Sequence, residues 1–341
     1  MNKEYKNRLI IFGGAGFLGQ HLTKAILDSL PEAAVLILDL KPPSHQLLSF
    51  ANDERVEYRF GRDITRPETY KDDFQDDIDA VFNLAGFISF WPPERRKMFQ
   101  INVEGARFLC ETSLKAGIKK VIHISSVASI GYIDDINQLA DESMVFDEKK
   151  FKNKSYMLTK HLGEREALDF SGKGMDVVAA NPGLLYGPGE NGSVLTLFRN
   201  ISTGRLKFYP TGGTGVVDVR DAAAGILTVF VRGKAGERYI LNGYNISFRE
   251  MTAIISRTLG REPLRKPVPR ISRIPLGILL ALTERFRKSA PDLTSESFDF
   301  CFRYRYYSPA KAEKELSWRP LIPFEKTIAD SAEWYKRSGL L

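Results

Sequence analysis

The sequence predicts an α/β fold, a doubly wound parallel sheet with a smaller mixed C-terminal region. Two observations carry this. Short, nearly continuous apolar runs alternate with helical stretches through the first half of the chain, as strands covered on both faces require. The first such run opens directly into a glycine-rich turn and then a helix. In order, strands are expected at Arg8 to Phe12, Ala34 to Leu38, Val56 to Phe60, Ala80 to Leu84, Val121 to Ile124 and Asp176 to Ala180. Helices are expected at Gln20 to Leu30 and Phe99 to Ala116. Right-handed crossovers between such strands give the doubly wound arrangement.

After Pro182 the rhythm changes, with Gly and Pro dense from Gly183 to Gly215. Val216 to Val219 and Tyr239 to Leu241 read as strands returning to the first domain. The expected organisation is therefore a first α/β domain over residues 1–181, rejoined by 216–245. A substrate-binding region is expected over most of 182–341, with a discontinuous boundary.

The 341 residues suit two closely packed units. The apolar content of 43% and charged content of 27% are ordinary globular values and exclude disorder as the default. No run of eighteen apolar residues offers a spanning helix. The N-terminal stretch lacks the apolar segment of a signal peptide. Cys110 and Cys301 are far apart, with no CxxC spacing, and fit a reducing cytoplasm. The four histidines, His21, His45, His123 and His161, show no zinc-ligand spacing.

The net charge of +7 is localised. From Asn242 onward there are 18 Lys and Arg against 11 Asp and Glu, while the preceding residues balance at 31 each. A basic C-terminal third can face phosphates, an anionic substrate or a membrane surface, or be an ordinary solvated surface. No nucleic-acid-binding signature accompanies it, so nucleic acid is not an expected partner.

In LIIFGGAGFLGQHL, Gly13, Gly16 and Gly19 lie between a strand and a helix. Gly13 allows a tight turn, Gly16 a close approach of backbone to a pyrophosphate, and Gly19 close packing of the helix. The N–H groups of the helix start, at Phe17 and Leu18, then face the phosphates. Asp39 ends VLILDL, twenty residues past Gly19, where a carboxylate accepts both ribose hydroxyls and repels a 2′-phosphate. This Rossmann-like pattern favours NAD, while Lys41 nearby keeps NADP open. Taken alone, each motif is also compatible with a ligand-free turn and a surface acid.

Tyr156 and Lys160, in SYMLTKHLGE, are four residues apart and share one helix face. A phenol at pKa about 10 is a poor base at neutral pH. A neighbouring ammonium and an oxidised nicotinamide both favour phenolate, and a fall to about 7 corresponds to roughly 4 kcal/mol. The same spacing is common on helix surfaces, so its context matters. The strand at VIHISSVASIGY ends in Ser125 and Ser126, which bring hydroxyls to the sheet edge.

These motifs together resemble the extended branch of the short-chain dehydrogenase/reductase superfamily, over nearly the whole chain. Gly13 to Gly19 is similar to its TGxxGxxG turn, with Phe12 in place of Thr. Asp63-Ile64 resembles its adenine-contacting pair, and Leu84-Ala85-Gly86 the cofactor-lining stretch after the fourth strand. Asn102 is similar to the Asn of its NVxG segment. Pro182 resembles the Pro of RPxxVYGP, with Asn181 in place of Arg. The resemblance implies an acid/base role for Tyr156, with Lys160 holding the nicotinamide ribose. It implies Ser126 as the catalytic hydroxyl, counted back from Gly131, with Ser125 and Thr159 as neighbouring hydroxyls. It further implies that Pro182, Gly183 and Leu185 line the carboxamide side of the ring.

Two branches compete: a net dehydrogenase or reductase, similar to dihydroflavonol reductases and 3β-hydroxysteroid dehydrogenases, and a nucleotide-sugar epimerase or dehydratase. Arginines that usually hold a sugar diphosphate are absent at the matching positions, where Thr214-Gly215 stands before the strand. Arg205, Arg249, Arg303 or Arg305 could supply such contacts from elsewhere. The apolar stretch Ile274 to Phe286 is flanked by Arg270, Arg273, Arg285, Arg287 and Lys288. It reads as a greasy substrate lid, a peripheral membrane contact through 270–288, or a core helix with snorkelling cations. The expectation is an apolar small-molecule substrate in a homodimeric cytoplasmic enzyme, membrane-associated if 270–288 touches lipid. A dinucleotide-sensing protein without turnover is the non-enzymatic alternative.

Overall fold

The computed structural model describes residues 7–43, 53–75 and 77–341; Met1 to Lys6 and His45 lie outside them. The first half runs β1 (Asn7–Phe12), α1 (Phe17–Ser29), β2 (Ala33–Asp39), β3 (Val56–Phe60), β4 (Ala80–Asn83), α2 (Arg95–Phe99), α3 (Gly105–Lys115), β5 (Lys120–Ile124), α4 (Glu148–Phe151), α5 (Ser155–Leu168) and β6 (Asp176–Pro182). It continues through β7 (Leu184–Tyr186), α6 (Ser193–Ser202), β8 (Phe208–Tyr209), β9 (Gly213–Asp218), α7 (Val219–Arg232) and β10 (Arg238–Leu241). The remainder is β11 (Tyr244–Ser247), α8 (Phe248–Thr258), β12 (Lys266–Pro267), α9 (Arg273–Glu284), α10 (Ser295–Phe300), β13 (Tyr304–Arg305) and α11 (Phe324–Arg337).

Seven parallel strands form one sheet in the order β10-β6-β5-β4-β1-β2-β3. The chain winds outward from β1 through β2 to β3, then returns to the other side of β1 with β4. That reversal is the switch point at which open α/β sheets form their ligand crevice. Strand β1 shows why the apolar runs are continuous. Leu9 and Ile11 enter one buried cluster with Leu22, Ile26 and Ile226. Ile10 and Phe12 enter another with Leu109, Cys110 and Ala167. Successive residues point to opposite faces, and both faces are covered by helices.

A second sheet orders β11-β9-β13, with β7 also pairing β9. It packs with α6, α8 and α11 around Phe198, Met251, Ile255, Phe324 and Ile328. Tyr239 to Leu241 joins the large sheet beside β6. Val216 to Asp218 instead belongs to the second sheet, and Val219 begins α7, where the Asp218 carboxylate caps the helix by accepting from Arg220 N at 2.8 Å. The expected single helix over 99–116 is interrupted by a π-turn at Gln100–Glu104. The turn places the Asn102 carbonyl against Gly163 of α5, where a Cβ would lie 2.0 Å from the oxygen.

Gly163→Ala should therefore destabilise the protein by about 1–3 kcal/mol through overpacking against backbone that cannot yield freely. Gly172→Ala, whose added Cβ meets nothing within 4 Å, should leave the melting temperature nearly unchanged. Thermal unfolding of both variants checks the contrast; equal melting temperatures would show that α5 does not dock so closely.

Candidate active site

The glycine turn sits at the carboxyl ends of β1 and β4. Gly13 has φ of +81°, and a Cβ there would lie 2.8 Å from Ala85 N, so the two loops abut. Leu84 N extends the pairing by donating to Phe12 O at 2.8 Å. Gly16 is the N-cap of α1, which has neither a side-chain cap nor an acid in its first turn. The N–H groups of that turn are thus left for a ligand, and the dipole there favours an anion. Gly19 closes the loop on itself: a Cβ would lie 2.5 Å from Gly14 Cα. Its small size fits the start of the helix against the turn.

Asp39 ends β2 beside this turn. Its Oδ2 accepts from Ala15 N at 3.1 Å and its Oδ1 from Leu40 N at 2.7 Å. Burial raises its pKa, and these N–H donors oppose the rise. Asp63 follows β3, with Oδ1 accepting from Thr65 N at 2.9 Å, and the adjoining Arg62 N donates to Asp39 O at 3.1 Å. Ile64 is buried against Gly105. Leu18, Leu84 and Leu185 are half-buried along the rim of one core cluster. At the end of β6, Pro182 leads into Gly183, whose N–H donates to Leu241 O at 3.1 Å. A Cβ on Gly183 would lie 2.7 Å from Asn242 Oδ1.

Helix α5 carries Tyr156 and Lys160 to the same crevice. The Tyr156 phenol faces the Ser126 side chain, which draws its pKa down, and the Ser126 Oγ accepts from Ala128 N at 3.2 Å. Lys160 is buried and its Nζ donates to Ile124 O at 2.9 Å. Gly86 borders the same space, since a Cβ there would lie 3.6 Å from Asn102 Oδ1 and 3.9 Å from Lys160 Nζ. Asn102 accepts from Phe87 N at 2.8 Å and donates to Phe87 O at 3.0 Å and to Thr159 Oγ1 at 3.1 Å. Thr159 is consumed by this bond and by donating to Tyr156 O at 3.2 Å.

The electrostatics differ from the sequence expectation. Burial raises the Tyr156 pKa, and the downward pull comes from Ser126. Burial also draws Lys160 down to about 8, with Glu164 one turn along opposing. The cost of ionising the phenol in this setting outweighs the help of Ser126. A further positive charge beside the phenol would bring its pKa down toward neutral pH.

The fit to a dinucleotide rests on three observations: the glycine cradle against Ala85, the uncapped start of α1, and a buried Ser125 hydroxyl without a hydrogen-bond partner. An unpartnered buried hydroxyl costs about 1–3 kcal/mol, so a ligand polar group there would relieve a penalty.

Sequence reasoning missed the walls and the support. Phe90 stands edge-on to Tyr156 with centroids 5.8 Å apart, and Phe300 packs on Phe90 at 5.7 Å. Tyr132 packs on Phe300 at 6.2 Å. Behind α5, Glu164 accepts from Ser129 Oγ at 2.6 Å and Asn181 Nδ2 at 2.5 Å, and pairs with Arg238 at 3.2 Å. The departure at Asn181 was visible in the sequence; its partners were not.

The protein family model described as the NAD dependent epimerase/dehydratase family matches residues 9–246. A putative dihydroflavonol 4-reductase of Synechocystis sp. is 28% identical, covering 96% of this chain and 94% of its own. The decarboxylating sterol-4-alpha-carboxylate 3-dehydrogenase of Saccharomyces cerevisiae is 25% identical, covering 96% and 97%. The crystal structure of gox2253 superposes with a TM-score of 0.82 at 26% identity, covering 98% of this chain and all of its own. With most of its length matched, and a parallel sheet, glycine turn and Tyr156–Lys160 helix arranged around one crevice, this chain belongs to the NAD dependent epimerase/dehydratase family.

Proposed function

We propose that this protein is an NAD-dependent dehydrogenase or reductase that interconverts an alcohol and a ketone or aldehyde on a largely apolar substrate. The observation that carries this reading is the Tyr156–Ser126 hydroxyl pair beside an aromatic wall of Phe90 and Phe300. A bound nicotinamide supplies or accepts the hydride.

The remaining work falls to the chain. Ser126 donates a hydrogen bond to the substrate oxygen, fixing the carbon beside the phenol. Tyr156 takes the hydroxyl proton in oxidation and returns it in reduction. Lys160 would hold a ribose hydroxyl of the cofactor, and the further positive charge that favours the phenolate would come with the oxidised ring. Asp39 accepts ribose hydroxyls of the adenosine half and repels a 2′-phosphate. The relatives named above, a putative dihydroflavonol 4-reductase and a decarboxylating sterol-4-alpha-carboxylate 3-dehydrogenase, accord with a dehydrogenase or reductase reading.

A second reading, a nucleotide-sugar substrate, is favoured by Arg305. Its guanidinium lies 4.6 Å from the Phe300 centroid and has no acidic partner among the described residues. A diphosphate could use it. Yet a diphosphate normally engages several cations, and the neighbouring Arg303 is taken by Asp134 and Asp299.

Tyr156→Phe should lower kcat by roughly 10²–10⁴-fold while leaving the Kd for NAD nearly unchanged. Lys160→Ala should impair both. Steady-state kinetics and NAD titration test this, and normal turnover by Tyr156→Phe would remove the assignment.

Calorimetry should give tighter binding of NAD than of NADP, with the gap narrowed or reversed in Asp39→Ala. Wild-type preference for NADP would mean that Lys41 outweighs Asp39.

With NAD present, sterols, flavonoids or long-chain alcohols should raise the melting temperature. Stabilisation by UDP- or dTDP-sugars alone would transfer the site to the second reading.

A further inference from the structure

Helix α9 is amphipathic in the inverted sense. A soluble helix turns its apolar stripe to the core and its charges to water. Here Ile271, Ile274, Ile278, Leu282 and Phe286 recur at three- and four-residue spacing, along the helix and its flanks. They are exposed by 88%, 70%, 58%, 50% and 88%. Leu276 and Leu279 are exposed as well. The side turned toward the protein carries polar anchors at its two ends, with Gly277 and the half-buried Leu280 between. Arg273 donates to Asp299 at 2.9 Å, and the buried Glu284 accepts from Ser295 N and, at 3.1 Å, from Ser295 Oγ. These bonds fix the rotation of the helix so that its greasy face points outward. The core-helix reading of this stretch is thereby excluded.

The rim is cationic. Residues 261–288 hold eight Lys and Arg against two Glu. Arg270, Arg285, Arg287 and Lys288 are exposed and have no acidic partner among the described residues. At 12 residues, α9 is about 18 Å long against a hydrocarbon core of about 30 Å. No described helix is long and apolar enough to cross a membrane. An apolar stripe ringed by unpaired cations on a short helix matches an anionic bilayer surface, with the helix lying in the interface plane. A two-fold contact between copies would bring the cationic rims together and repel.

We infer that residues 270–288 form a membrane-docking surface that inserts the exposed face of α9 into anionic bilayers. The inference goes beyond the proposed reaction and does not depend on its substrate. It places the crevice near lipid, because α10, which packs on α9, carries the Phe300 of the aromatic wall.

The full chain should co-sediment with phosphatidylcholine vesicles containing phosphatidylglycerol, weakly with phosphatidylcholine alone, and less at high salt. Arg285→Gln with Arg287→Gln should weaken partitioning by about 25-fold, taking about fivefold per cation. Ile278→Asp with Phe286→Asp should reduce it by more than about tenfold. Both pairs are exposed, so circular dichroism melting should match wild type. Absence of wild-type binding to the anionic vesicles at low salt, or binding indifferent to both pairs of changes, overturns the proposal. So does a wild-type dimer, without vesicle binding, that Ile278→Asp with Phe286→Asp converts to monomer, because the face would then be covered by a second copy.

Discussion

Helix α5 can meet the turn at Asn102 only because Gly163 has no side chain there, and the placement of Tyr156 and Lys160 follows from that approach. A carbonyl at the position a Cβ would occupy leaves the helix no freedom to slide. The π-turn is the other half of the device. It adds a residue to the helical path between α2 and α3. Asn102 thereby braces Phe87 after β4 while reaching Thr159 on α5. Three segments that carry the crevice are joined through one buried amide.

Charge in this crevice is balanced by neighbours with different tasks. Lys160 is buried, and burial alone would favour its neutral form. Glu164, one turn along the same helix, opposes that loss while its own charge is met by Arg238, Ser129 and Asn181. The carboxylate is therefore held by a network, and α5 carries compensating charges through its buried face. His123 beneath Lys160 is drawn down to about 3 by burial and by that ammonium, and so adds no competing charge at neutral pH.

Much of this was legible in the sequence, for identifiable reasons. The strands were readable because both faces of the sheet are buried, which makes each strand an apolar run. Gly13 and Asp39 were readable because they stand at strand ends, and Tyr156 and Lys160 because they share one helical face at short spacing, whereas the choice of Ser126 over Ser125 came only from the family resemblance. The π-turn was hidden, since one inserted residue barely alters a helical pattern. The aromatic wall was hidden because Phe90 and Phe300 meet only through the tertiary fold. The burial that raises the Tyr156 pKa was hidden, because the sequence lists charges without their surroundings.

The α9 stretch shows how far hydrophobicity can be read without direction. The residue pattern defined an apolar stripe with basic flanks and left open which way it faced. The direction is set by Asp299, which lies beyond the stripe in sequence. Its carboxylate receives Arg273 from α9 at 2.7 Å, Lys154 at 3.0 Å and Arg303 at 3.4 Å. Burial pushes its pKa up, but Lys154 and Arg273 more than offset this and leave it at about 2. It therefore stays ionised at any physiological pH. Lys154 immediately precedes α5, two residues before Tyr156. One carboxylate thus ties the outward-facing helix to the start of the helix bearing the proposed acid/base. Surface and crevice are anchored to a common point, so the exposed stripe holds a fixed position relative to the site.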